Sequence, residues 1–145
     1  MGWRDWLRRQ RKPLRPHHLI RGDDLAVLAS PQAAAALEVQ LGREGFATRS
    51  FPHDKGLVEA LEKSLPQALV VVPHDLKAID WEACLRRLRE RELLASLPFV
   101  VLAETWEADQ SQQLGETVGA LCVEGRSGSD VAEALHRWRH EAGLL

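Results

Sequence analysis

The chain has no apolar run of the roughly 20 residues that a membrane-spanning helix needs. Its longest apolar stretches, Ala68 to Val72 and Phe99 to Ala103, stop at strand length. The basic start is not followed by an apolar segment, so no secretory signal is visible. Cysteine is scarce: Cys84 and Cys122 show neither CxxC spacing nor a histidine cluster nearby. Isolated cysteines of this kind behave as small hydrophobes, which predicts reduced core residues in a cytoplasmic protein and argues against a zinc or redox centre. A glycine-rich phosphate loop is also missing, which removes the usual support for nucleotide or flavin binding. Low-complexity tracts and solenoid repeats are absent as well, so a single packed domain has to account for most of the sequence.

At 145 residues there is room for one domain with a real core and a short appendage. A composition of 45% hydrophobic and 28% charged residues fits a soluble globular domain and not a disordered one. The net charge of −2 conceals an asymmetry. Residues 1–22 hold Arg4, Arg8, Arg9, Arg11, Lys12, Arg15 and Arg21 against Asp5, a formal +6. Residues 23–145 therefore carry −8. A basic aromatic leader, 1–22, precedes an acidic domain, 23–145.

Five strand-sized apolar segments recur about every 20 to 25 residues: Leu25 to Ala29, Phe46 to Phe51, Ala68 to Val72, Phe99 to Ala103 and Ala120 to Val123. The first, third and fourth are continuous runs, as in parallel strands covered on both faces. The second alternates and predicts an edge. Helix signals fill the gaps. Ser30 and Pro31 open one helix, Ala33 to Leu41 fill it and Gly45 ends it. Asp54 is the expected cap of a second helix with a Leu57, Val58, Leu61, Leu65 stripe before Pro66. Asp80 caps a third, with Trp81, Cys84, Leu85 and Leu88 inward and Arg86, Arg87, Arg89, Glu90 and Arg91 toward solvent. A thin stripe interrupted by Gly115 predicts a fourth over Trp106 to Val118, and a fifth begins near Ser129 and Asp130, with Val131, Leu135 and Trp138 on one face. Strict alternation of strand and helix implies an α/β fold with right-handed crossovers. The commonest five-strand solution is a flavodoxin-like doubly wound parallel sheet in the order 2-1-3-4-5, with ligands at the carboxyl ends of the strands.

From about Asp24 to His140 the chain resembles the receiver domain of bacterial response regulators, the CheY-like superfamily. Pro66 to Val72 is similar to the segment leading into the family's phosphoacceptor strand. Leu97-Pro98-Phe99-Val100-Val101-Leu102-Ala103 resembles its fourth strand, and Val118-Gly119-Ala120-Leu121-Cys122-Val123 its glycine-alanine turn into the fifth. The resemblance implies a set of charges at the strand ends: an acidic pair for magnesium, a nucleophilic aspartate, a Ser/Thr and a Lys that hold phosphoryl oxygens.

Placed on this sequence, the acidic pair falls on Ala29 and Ser30, the aspartate on Val72, the hydroxyl on Ala103 and the lysine on Glu124. A slip of one residue brings Pro73 and Glu104 to these positions and restores nothing. In a low-dielectric pocket, a carboxylate at the lysine position would repel a phosphoryl anion by several kcal/mol. Asp23 and Asp24 precede the first strand and so lie at the opposite end of the sheet. The chain thus reads as a degenerate pseudo-receiver: not an enzyme, needing no cofactor or metal, and serving as a protein-protein interaction module independent of aspartyl phosphorylation.

Other features offer further sites. Pro-His-Asp occurs twice, and His53, Asp54, His74 and Asp75 are the candidate ligands of a metal or small molecule, the basis of an alternative reading as a flavodoxin-like enzyme or ligand-binding protein. Strands two and three flank strand one, however, which places those loops on the order of 10 Å apart. Proline ending a strand and aspartate turning the chain account for both motifs without a ligand. In the leader, Trp3, Trp6, Leu7, Arg8 and Arg9 suit an anionic membrane surface contacted by residues 1–16, an acidic partner, or the chain's own acidic domain. Nucleic acid is disfavoured by the acidic body and the lack of a reading motif. Receivers commonly pair through the face of the fourth helix, fifth strand and fifth helix, which makes Trp106 and Trp138 candidate interface anchors of a homodimer. His136 and His140, with Arg137 and Arg139, read as a solvated helix end.

Overall fold

The computed structural model describes residues 24–74, 76 and 79–141. The leader residues Trp3, Trp6, Leu7, Arg8 and Arg9, and Asp75 of the second Pro-His-Asp loop, lie outside them. The strands are β1 (Asp24–Leu28), β2 (Ala47–Phe51), β3 (Ala68–Val71), β4 (Phe99–Ala103) and β5 (Ala120–Glu124). The helices are α1 (Pro31–Arg43), α2 (Leu57–Lys63), α3 (Trp81–Arg89), α4 (Ala108–Val118) and α5 (Gly128–Glu141), with a 3-10 turn over Glu92–Leu94 between α3 and β4. All strand pairs are parallel and the order is β2-β1-β3-β4-β5, as the alternating pattern predicts. Among the described residues no helix is long and apolar enough to cross a membrane.

The central strands bury both faces, and the period of two sorts their side chains into two layers. Ala26, Leu28, Leu69, Val71, Phe99 and Val101 face α2, α3 and α4, while Leu25, Val27, Val70, Val100 and Leu102 face α1 and α5. This explains why β1, β3 and β4 read as unbroken apolar runs. β2 lies at the edge with no residue fully buried, in line with its alternating sequence.

Ser30 and Asp80 cap their helices as the sequence predicts, and Asp54 does not. Ser30 Oγ accepts from Ala33 N at 3.3 Å, and Asp80 Oδ1 from Ala83 N at 3.1 Å. Gly119 ends α4 at φ +68°, a left-handed position that favours glycine. Asp54 does not cap α2 with its side chain. Gly56, at φ +77°, sits at the cap position; Asp54 contributes only its carbonyl to Leu57 N, and its carboxylate accepts from Arg87 Nη2 at 3.2 Å. Helix α4 begins at Ala108, which leaves Trp106 in the β4–α4 connection.

Arg89 overturns the solvent-facing assignment. Its Nε donates to Val118 O at 2.8 Å, and Nη1 donates to the carbonyls of Leu94, Ala95 and Leu97 at 3.0, 3.0 and 2.7 Å. The guanidinium lies 3.8 Å from the centre of the Phe99 ring. Burial pushes Arg89 down to about 9, so it stays charged at neutral pH while gathering carbonyls from the ends of two elements.

The start of α5 is fitted against α1 without spare volume. Gly128 N donates to Gln40 Oε1 at 2.6 Å, and a Cβ on Gly128 would stand 2.8 Å from Gln40 Cβ and 2.9 Å from the backbone nitrogen of Leu41. Gly128→Ala is therefore expected to destabilise the domain by about 2 kcal/mol, seen as a lowered urea midpoint with an unchanged slope. An unchanged midpoint would mean that α5 can shift away from α1 at no cost.

Candidate functional site: the carboxyl edge of the sheet

Parallel pairing brings every strand end to one edge, and the ladder bonds continue just past it. Ala29 N donates to Phe51 O (3.3 Å), Val72 N to Leu28 O (3.0 Å) and Gly125 N to Ala103 O (2.9 Å). Ala29, Ser30, Val72, Ala103 and Glu124 therefore lie along one edge. Their chemistry is inert or already committed. Ala29 is buried, and the hydroxyl of Ser30 is used in capping α1. Val72 packs against the layer formed with α1 and α5, and Ala103 presents only a methyl group.

The two carboxylates at this edge point to neighbours. Glu124 Oε1 accepts from the backbone N–H of Trp106 at 3.3 Å, and Glu104 pairs with Arg126 at 2.7 Å. Trp106 adds a second tie, donating its indole Nε1 to Val123 O at 3.0 Å. The β4–α4 connection is thus fastened to β5 by side chains of this chain alone. Glu124 is exposed, so water screens its charge and the repulsion expected for an enclosed carboxylate is weakened here.

Beside the Glu104–Arg126 pair lies a cleft of about 260 Å³. Ala33 and Leu37 of α1, Val72, and Leu102 of β4 form its apolar floor, and Glu104 and Arg126 stand at its mouth. His74 also lines it. The described members of the two Pro-His-Asp loops do not converge: His74 borders the cleft, His53 is exposed, and the Asp54 carboxylate is turned to Arg87. No group of three or more His, Cys, Asp or Glu that could hold a metal occurs among the described residues.

The candidate interface tryptophans separate. Trp106 is half-buried and tied to β5, whereas Trp138 is 3% exposed in the α1/α5 core layer and offers no surface to a partner. The i, i+4, i+7 spacing of Val131, Leu135 and Trp138 is a core stripe. Cys84 and Cys122 are held as thiols. Burial raises both, Cys122 to about 12, and for Cys84 the nearby Asp54 carboxylate adds to the effect.

Two features of this edge have no counterpart in the sequence reading: the Trp106 ties and the cleft. The first joins residues 17 and 18 positions apart with α4 between them, which no local pattern encodes. The second had a weak signal in the small residues Ala33, Ala36, Ala103 and Gly125, all of which line it.

No protein-family model and no curated protein matches this chain. Solved structures do. A candidate response regulator from Chloroflexus aurantiacus J-10-fl is 21% identical, with 85% of this chain and 99% of that one covered at a TM-score of 0.66. The receiver domain of sensor histidine kinase PA1611 from Pseudomonas aeruginosa PAO1, a structure with magnesium coordinated in its active-site cleft, is 17% identical over 81% and 97% of the two chains, TM-score 0.66. The chemotaxis response regulator CheY4 of Vibrio cholerae is 14% identical over 84% and 98%, TM-score 0.63. At these identities the likeness is one of fold: the chain has the architecture of CheY-like receiver domains.

Proposed function

We propose that this chain is a non-catalytic pseudo-receiver, a signalling module that acts by binding a protein partner and is independent of aspartyl phosphorylation. Its setting would be bacterial signal transduction, regulation or localisation. The fold supports the signalling part, because the similar structures are receivers and response regulators. One observation carries the rest. Val72 follows directly on β3, at the position the resemblance gives to a receiver's nucleophile, and its half-buried side chain packs against the α1/α5 layer.

Phosphoryl transfer to a carboxylate needs a nucleophilic oxygen, cations to neutralise the incoming charge and a hydroxyl to orient it. The matching positions offer an isopropyl group, a methyl group and a carboxylate. The hydrogen bonds of Trp106 to β5 also support the reading, since they fix the β4–α4 connection without any phosphoryl group. Incubation with magnesium and acetyl phosphate, followed by intact mass measurement, is expected to leave the protein unmodified. A stable phosphoryl adduct would sink the pseudo-receiver reading.

A further inference from the structure

The cleft at the carboxyl edge is open because the residues around it are small. Ala33, Ala36, Ala103 and Gly125 carry nothing beyond Cβ, and Val72 and Leu102 supply apolar surface. Its walls are held from both sides. Ser30 caps α1 on one side. On the other, Gly125 N is bonded to Ala103 O at 2.9 Å, Ser127 Oγ to Asp130 Oδ2 at 2.9 Å and Gly128 N to Gln40 Oε1 at 2.6 Å. The β5–α5 turn is therefore fixed between β4 and α1, and the space does not depend on an occupant to stay open.

The charge at the mouth decides what can enter. Glu104 and Arg126 are paired at 2.7 Å and cancel one another, in a domain whose formal charge is otherwise strongly negative. An ionised group pushed past them would lose water against Ala33, Leu37, Val72 and Leu102, and His74, the other polar side chain of the lining, is itself exposed to water. At about 260 Å³ the space falls just short of the roughly 300–1,000 Å³ typical of small-molecule pockets, and it is ample for one inserted side chain. Building on the protein-binding reading above, we propose that this cleft receives one uncharged apolar side chain of a partner polypeptide, of the leucine, methionine or phenylalanine class. Interfaces concentrate their binding in such anchors, seated in preformed pockets and ringed by polar contacts.

Methyl NMR of the full chain tests this with N-acetyl-leucinamide and N-acetyl-phenylalaninamide as probes. Both are expected to shift the methyl signals of Leu37, Val72 and Leu102 saturably, with a Kd on the order of millimolar for ligands this small. Ala36→Leu, which fills the cleft from an exposed helical position, is expected to weaken binding at least tenfold, whereas Ala36→Ser leaves the cleft open and binds as the parent does. N-acetylaspartate and N-acetyl-lysinamide are expected to shift nothing. Silence from both neutral amides, equal shifts from the charged probes, or indifference to Ala36→Leu would each overturn the assignment. These failures are separable from failure of the pseudo-receiver reading: a phosphoryl adduct removes that reading, whereas silent amides without an adduct remove only the cleft's occupant.

Discussion

Arg89→Ala is expected to lower the stability of the domain by about 3–5 kcal/mol, among the largest losses any single substitution here should cause. The reason is the number of groups that depend on one side chain. Nε and Nη1 together serve the carbonyls of Val118, Leu94, Ala95 and Leu97, which belong to the end of α4 and to the 3-10 turn with the loop before β4. Buried carbonyls left without donors cost about 1–3 kcal/mol each where water cannot reach them. The guanidinium is also stacked at 3.8 Å on Phe99, itself fully buried, so truncation forfeits a cation–π contact together with packing. Two further variants separate these contributions. Arg89→Met keeps the aliphatic stem against the ring but none of the donors, and is expected to recover less than half of the loss. Arg89→Lys keeps the charge but not the planar fork, so it reaches one or two carbonyls and falls between the other two. Urea unfolding midpoints check the ranking, and a methionine variant as stable as the parent would show that the carbonyls find other partners.

The wheel of α3 contained the information that Arg89 is inward. Leu85 is four residues before it and Trp81 eight, the spacing of a single helical face. Charge type argues for solvent and spacing for the core, and spacing governs at a helix end, where a long stem can lie along apolar surface while its head reaches terminal carbonyls. Elsewhere the local signals were sufficient. The continuous runs of β1, β3 and β4 are buried on both faces, Ser30 and Asp80 cap as their positions require, parallel pairing follows from alternation, and the strand order is the commonest five-strand solution. Asp54 looked like a cap because aspartate before an apolar stripe usually is one, yet Arg87 from α3 takes its carboxylate, a partner 33 residues away. The carboxyl edge shows the same division. Strand ends could be located from the runs, which is why Ala29, Ser30, Val72, Ala103 and Glu124 lie at or just past them. Where Glu124 points depends on Trp106, and that contact exists only once β5 has paired with β4.

Trp138 is the second residue for which placement changes the expected phenotype. On an exposed face it would anchor a partner, and its removal would weaken association while leaving the monomer intact. In the structure its indole is 3% exposed and packs in the layer that includes Leu37, Leu41, Val131 and Leu135. Trp138→Ala is therefore expected to cost about 3–5 kcal/mol of folding stability, through lost burial and the cavity left between α1 and α5. Trp138→Phe refills most of that volume and is expected to cost well under half as much. The two placements are distinguished by measuring thermal unfolding at protein concentrations a hundredfold apart. A core tryptophan gives the same loss at both, because no association is coupled to unfolding. A loss that shrinks at the lower concentration would instead put Trp138 in a subunit interface. The Gln40–Gly128 bond joins the same two helices, so Trp138→Ala should also loosen the β5–α5 turn that walls the cleft. Amide hydrogen exchange at Gly128 is expected to accelerate with it, tying the stability of the α1/α5 layer to the shape of the carboxyl edge.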